Sequence, residues 1–509
     1  MDRQPGRPPL HDTAAETAAV AIRGLARRAD ALDIALHTIE VSVGGEIVAS
    51  AACAPRGPHV PQRMYSVSKT VTGLAVGLLA AEGALHLDDP IIRHFPEMAP
   101  VHPWLEATTI RHLLAMRGPH RATTFELTAG DWLESYFGVP PTHPPGTLFT
   151  YDTSGSYVLA ALVERLAGIP LPDYLRPRLL DPIGVDPGLR FLTGPEGIAH
   201  GGSGLICTPR DLLRLAHLLL DDGTPGGGPG GGTTDGAPGD GTPGGGTPGG
   251  SGPDGSGPGR SSLIPAAYLR DATRRQADTS QLTWGETLRT GYGYQLWLPA
   301  RGGWLMFGLG GQIVYGDPAR HLAVVVTADA QACGSGDQRL LDEVMDALVA
   351  PLTAVIDAGR TPGSPHTVAL DWPAPRHDAS TLPDVGGTFK NVADGPGPAE
   401  LLLSLHDDGG RLRAMRHRGD GWDIEFRFDQ PVRTRIAGRP AVVTAGHSGP
   451  GTLDVRCALH GDDLTTWRLR LVRAAGGSLA VQSQAFGESV APSWTFHATY
   501  LIANHSGGS

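Results

Sequence analysis

Lysine is nearly missing from this sequence. Of its 41 lysine and arginine residues only Lys69 and Lys390 are lysine, and asparagine is equally scarce, with none before Asn391. Arginine therefore fills almost every place where any cation would serve. Arginine stays protonated in proteins, whereas a buried lysine can be pushed down by several pKa units and act as a base or nucleophile. A lysine kept at position 69 is a candidate for a task arginine cannot perform. Other absences narrow the field. The net charge is −11 and there is no long basic run, which argues against a nucleic-acid partner. No apolar run approaches a membrane span, and the first twenty residues lack the basic-then-apolar layout of a secretory signal. Cys53, Cys207, Cys333 and Cys457 are far apart, with no metal-ligand or redox spacing. They read as isolated thiols in a reducing compartment, and the expected location is cytoplasmic.

Glycine and proline are abundant, and much of the excess lies in residues 223–260, with near-repeated GTPGGG units. Such a stretch can bury almost nothing and is expected to be a disordered insert. Before it, a helical segment leads into two strands joined at Gly44–Gly45. After it, GYGYQLW, GWLMFGLGGQIVYGD and HLAVVVTAD read as strands, and QRLLDEVMDALVAPLTAVI as a closing helix. This order implies one layered α/β domain over residues 15–357, interrupted by the insert. A linker is expected over 358–374. From 375 to 505 apolar and polar residues alternate, predicting a separate antiparallel β domain, a lipocalin-like barrel or a sandwich.

The stretch RMYSVSKTVTGLAVGLLAAEG, residues 63–83, places the rare lysine in context. Val71, Leu74, Ala75, Leu78 and Leu79 form an apolar helical stripe, and Gly83 is a natural stop. Ser66 and Lys69 then lie one turn apart on one face at the helix start. A serine there has a free backbone N–H and the favourable end of the helix dipole, and a desolvated lysine could take its proton.

Together with PPGTLFTYDTSGSYVLAALVERLAG and FGLGGQIVYGD, this stretch resembles the serine β-lactamase-like superfamily. That group includes class C β-lactamases, penicillin-binding DD-peptidases and related esterases. The resemblance covers most of residues 30–350, on both sides of the insert. It implies a three-layer fold, an antiparallel sheet with flanking helices and a helical subdomain. It also implies that Ser66 is the acylated nucleophile, that Lys69 helps deprotonate it, and that Tyr151 relays a proton. Thr153 stands where asparagine or serine is usual, at a substrate-contact position. Leu309, Gly310, Gly311 and Gln312 match the substrate-binding strand, with the backbone N–H groups of Ser66 and Gln312 as the oxyanion hole. Leu309 replaces the lysine or histidine that receives a substrate carboxylate, and an unpaired carboxylate buried there would cost several kcal/mol.

The expectation is a serine hydrolase that acylates Ser66 with a small-molecule ester, or amide, lacking an anionic anchor. The alternatives are an acyltransferase or peptide cyclase using the same intermediate, or a catalytically inactive binding protein. No metal or organic cofactor and no membrane partner are implied. His120 is a weaker candidate for the cleft entrance, and Trp284, Tyr292 and Tyr294 for an acyl-binding wall.

Overall fold

The computed structural model describes residues 12–125, 131–226, 261–378, 386–393, 397–415, 421–488, 490 and 492–503. Its first layer system is built on a mixed six-stranded sheet. In chain order the strands are β1 (Ala35–Val43), β2 (Glu46–Ala52), β3 (Trp304–Gly308), β4 (Gln312–Asp317), β5 (Leu322–Asp329) and β6 (His366–Ala369). Their spatial order is β3-β4-β5-β1-β2-β6. The two-residue period of a strand sends alternate side chains into two cores. Trp304 and Met306 enter the core of the helical subdomain, which includes Val71, Leu74 and Leu78. Leu305 and Phe307 enter a second core with Ile22 and Leu25 of the helix Ala14–Ala31. That helix starts at a capping box between Thr13 and Glu16.

Two expectations need correction. Residues 358–374 are not a plain linker, because β6 lies within them and pairs in parallel with β2. Trp372 Nε1 further donates to Ala54 O at 2.8 Å. The alternation in HTVALDW is short and flanked by Pro and Gly, which hid the strand. GYGYQLW is not a regular strand either. It makes only isolated bridges through Tyr292 and Trp297, with Gln295 at φ +57°. Gln295 instead anchors the segment to the helical subdomain, donating to Leu113 O and Leu114 O, each at 3.0 Å.

The chain leaves the helix Pro209–Leu220 just before the glycine-rich stretch. Leu263 N donates to Gly223 O at 2.8 Å, so the chain re-enters close to where it left. The expected insert itself lies almost wholly outside the described residues.

The C-terminal region forms a ten-stranded antiparallel sheet from Gly387–Asn391 to Phe496–Ile502. Its terminal strands, Trp422–Arg427 and Val432–Ile436, approach each other, so the sheet curls into a nearly closed barrel. Alternating burial along Thr452–Leu459 fits that geometry, and the interior is filled by Trp422 and Trp467, edge to face at 4.9 Å. The barrel docks on the first domain through Thr466 Oγ1 to Asp329 Oδ2, 2.8 Å, and Gln331 Nε2 to Leu464 O, 3.0 Å. Among the described residues no helix is long and apolar enough to cross a membrane.

Candidate active site

The helix Val67–Ala81 begins at Ser66, preceded by a backbone turn that most residues avoid: Tyr65 has φ +47°. Such a conformation costs about 1–3 kcal/mol and persists only where its surroundings hold it. Here the Tyr65 side chain is fully buried, and its hydroxyl accepts a hydrogen bond from Leu464 N of the barrel at 3.0 Å. The turn also lies hard against β3. A Cβ on Gly308 would stand 2.3 Å from Met64 O and 3.2 Å from Ser66 N. Gly308→Ala is therefore expected to displace the Ser66 turn. Overpacking of this kind costs about 1–3 kcal/mol, and turnover with any active ester should fall at least tenfold. Thermal melting alongside initial rates checks both effects.

Lys69 is 1% exposed. Its Nζ lies 3.0 Å from Ser66 Oγ, 3.2 Å from Thr153 Oγ1 and 2.7 Å from Gly202 O. Burial pushes its ammonium down to about 7, against the opposing pull of Asp152 and Glu488. A neutral amine has two N–H bonds and one lone pair. Gly202 O and Thr153 Oγ1 can accept both hydrogens, which leaves the lone pair facing the serine hydroxyl.

Tyr151 stands across the pair, with Lys69 Nζ 4.8 Å from its ring centre and its phenol hydrogen-bonded to Ser66. Burial drives that phenol well above its ordinary value, so it keeps its proton. Trp284 and Trp297 pack on the Tyr151 ring, each at 5.3 Å, and Tyr292 meets it edge-on at 6.3 Å. These aromatics brace the tyrosine. Tyr294, by contrast, packs against Tyr268 and Arg111 away from this wall. His120 is buried, with Nε2 2.8 Å from Tyr136 O and its ring edge-on to Tyr136, an internal packing role.

On the facing strand, Gly310 and Gly311 take φ +77° and +90°, and Gln312 then opens β4 opposite Gly308. The Gln312 side chain points into the protein. It donates to Ala328 O at 2.7 Å and accepts from Gln62 Nε2 at 2.7 Å, holding the start of the strand. Leu309 is 40% exposed. It lines a cavity of about 500 Å³ with Gly310, Gln331, Asp337, Phe486 and Glu488, among others, and none of the described residues lining it is basic.

Several of these residues escaped the sequence reading. Asp152 is buried, and its carboxylate caps the helix Thr153–Ala167 by accepting from Ser154 N at 2.8 Å and Gly155 N at 3.3 Å. Burial pushes it up to about 6 despite those bonds. An acidic residue before a helical segment is an N-cap signal and could have been noted. Gly202 and Glu488 carry no comparable local mark.

The geometry joins a serine, a desolvated lysine and a tyrosine on a sheet-and-helix scaffold. The model of the family described as Beta-lactamase matches residues 14–347, and the chain belongs to that family. Family members are serine hydrolases of amides and esters. The 6-aminohexanoate-dimer hydrolase of Paenarthrobacter ureafaciens is 25% identical over 205 residues, 36% of this chain and 52% of that protein. Protein Rv1367c of Mycobacterium tuberculosis is 28% identical over 221 residues, 32% of this chain and 55% of that one. The chain thus spans about half the length of the curated relatives it matches. A solved structure from Bacteroides dorei, classed with the beta-lactamases, shares the fold with a TM-score of 0.50. Its identity is 14%, over 66% of this chain and 98% of that one.

Proposed function

We propose that this protein is a serine hydrolase that forms an acyl-enzyme on Ser66 from a carboxylic ester, or amide, whose scissile end bears no anionic group. The arrangement around Lys69 Nζ carries the reading: a fully buried amine, brought down to about 7 by desolvation, that lies 3.0 Å from Ser66 Oγ and in its neutral form can turn its lone pair to that hydroxyl. Lys69 takes the hydroxyl proton as Oγ bonds to the substrate carbonyl carbon. The oxyanion that develops is received by the backbone N–H groups of Ser66 and Gln312. Tyr151, protonated because it is buried, gives its proton to the leaving oxygen or nitrogen as the bond to carbon breaks. The proton held on Lys69 then restores the phenol. Water attacks the ester on Ser66 and releases the acid. Thr153 orients the lysine by accepting from Nζ, which explains how a threonine serves at that position.

Leu309 and the cavity beside it define the preference. The charged side chains among the described residues lining that cavity are Asp337 and Glu488, so a carboxylate entering it meets like charge. Two p-nitrophenyl esters of matched acyl length, one ending in methyl and one in carboxylate, test both parts. Brief exposure to the neutral ester should add one acyl mass, mapping to the peptide that contains Ser66. Its kcat/KM should exceed that of the acidic ester at least tenfold. Absence of an adduct with p-nitrophenol release no faster than in buffer would overturn the hydrolase reading. Preference for the acidic ester would overturn the specificity, and would direct attention to the separate cavity lined by Arg117, Arg121 and Arg275 beside Thr150.

A further inference from the structure

Glu488 belongs to the barrel, just beyond its strand Leu479–Phe486, yet its carboxylate reaches the catalytic domain and pairs with Arg63, Oε2 to Nη1 at 2.5 Å. Arg63 is 7% exposed, so its charge is largely removed from water. The same guanidinium donates through Nε to Ser203 O at 2.9 Å and through Nη2 to Ser203 Oγ at 3.2 Å. It also lies over the Tyr65 ring, 4.6 Å from the centroid. Ser203 follows Gly202, whose carbonyl accepts from Lys69 Nζ at 2.7 Å. Tyr65 precedes Ser66. One buried cation therefore touches the supports of both members of the pair, the Gly202–Ser203 backbone behind Lys69 and the strained turn before Ser66.

We propose that Glu488 is a positioning residue for the reaction, holding the Ser66–Lys69 pair in register through Arg63, so that the barrel completes the active site. This inference rests on the Ser66 acyl-enzyme reading above. A buried guanidinium that loses its carboxylate must find a new partner or admit water. Either change releases Ser203 and, with it, the carbonyl that aims Nζ. A displacement of about 1 Å at such a place can cost on the order of 10²-fold in rate.

The charges around Lys69 supply a second readout. Asp152 faces it from the start of the helix Thr153–Ala167, and Glu488 from the barrel, both favouring the protonated amine. His200 lies close to both Lys69 and Arg63, and burial drives it down to about 3, so it is neutral at working pH. Tyr151 is an uncharged phenol. Loss of the Glu488 charge removes a group that stabilises protonated Lys69. The acid limb of kcat/KM should then move to lower pH.

The test uses the full chain with Glu488→Gln, Glu488→Asp, Arg63→Met and the double variant Arg63→Met/Glu488→Gln. Glu488→Gln is expected to lower kcat about tenfold with KM within twofold, and to move the acid limb to lower pH. Glu488→Asp keeps the charge and should leave the limb where it is in the wild type. In the Arg63→Met background, Glu488→Gln should lower kcat no further. Multiplicative losses in the double variant, or a Glu488→Gln protein with wild-type kcat and limb, would overturn the inference. So would a lower melting temperature with no kinetic change, the mark of mere docking. Acylation of Ser66 in the wild type is the control. Its failure sinks the functional reading and this inference together, whereas its success beside an unaltered Glu488→Gln protein sinks this inference alone.

Discussion

Ser66→Ala is expected to form no acyl adduct and to lose activity by roughly 10⁴- to 10⁶-fold, as in other enzymes whose serine nucleophile has been removed. The size follows from what remains. The backbone N–H groups of residues 66 and 312 would still be present, and they can stabilise an oxyanion raised by attacking water. No covalent step would be open at position 66, because alanine carries no hydroxyl to acylate. Ser66 is the helix N-cap but makes no side-chain capping hydrogen bond, so alanine there should cost little stability. A melting temperature close to wild type with activity reduced to background would assign the loss to chemistry. Burst kinetics and intact mass measure it directly. Persistence of most of the activity in Ser66→Ala would refute the proposed nucleophile outright.

The second large effect belongs to Lys69, and activity and stability should move in opposite directions. As a base the lysine works only when neutral, so kcat/KM of the wild type is expected to rise with pH through a midpoint near about 7. Lys69→Arg keeps a cation that does not release its proton. It should lose about 10³-fold or more, of the order seen when catalytic base function is lost, with no recovery up to pH 9. Lys69→Met should lose a similar factor.

Stability follows from linkage. Burial lowers the Lys69 pKa from 10.5 in the unfolded chain to about 7 in the folded protein. Below pH 7 both states hold the proton, and the folded state bears the full cost of a buried ammonium. Between 7 and 10.5 the unfolded state binds more protons, so stability rises with pH and this cost is relieved. Lys69→Met is therefore expected to raise the melting temperature most at pH 6, by the equivalent of a few kcal/mol. The gap should narrow towards pH 10. Exchange of stability for activity at a functional position is a general pattern. Equal melting temperatures for the two proteins at pH 6 would contradict the burial argument.

The parts of this protein that were legible in its sequence are those carried by local interactions. The apolar stripe of Val71, Leu74 and Leu78 and the stop at Gly83 mark a helix, and three residues of spacing place Ser66 and Lys69 on one face of it. Alternation in the C-terminal region marks a β domain, because a strand repeats every two residues whatever it pairs with. Rarity of lysine singled out position 69. What no local pattern could supply is the environment of that lysine. Its carbonyl partner Gly202 is 133 residues away, and the backbone amide that secures Tyr65 is 399 residues away. Neither glycine nor leucine announces such a role, since the group involved is backbone and its placement depends on packing of distant elements. Arg63 and Glu488 are ordinary charged residues in sequence, and only the docking of the barrel brings a half-exposed carboxylate onto the buried Arg63 guanidinium beside the site. The sequence by itself determined which groups could perform the chemistry. Tertiary structure decided that the lysine is dry and that a second domain reaches the residues beside it. Desolvation and orientation arise from contacts between residues far apart in the chain.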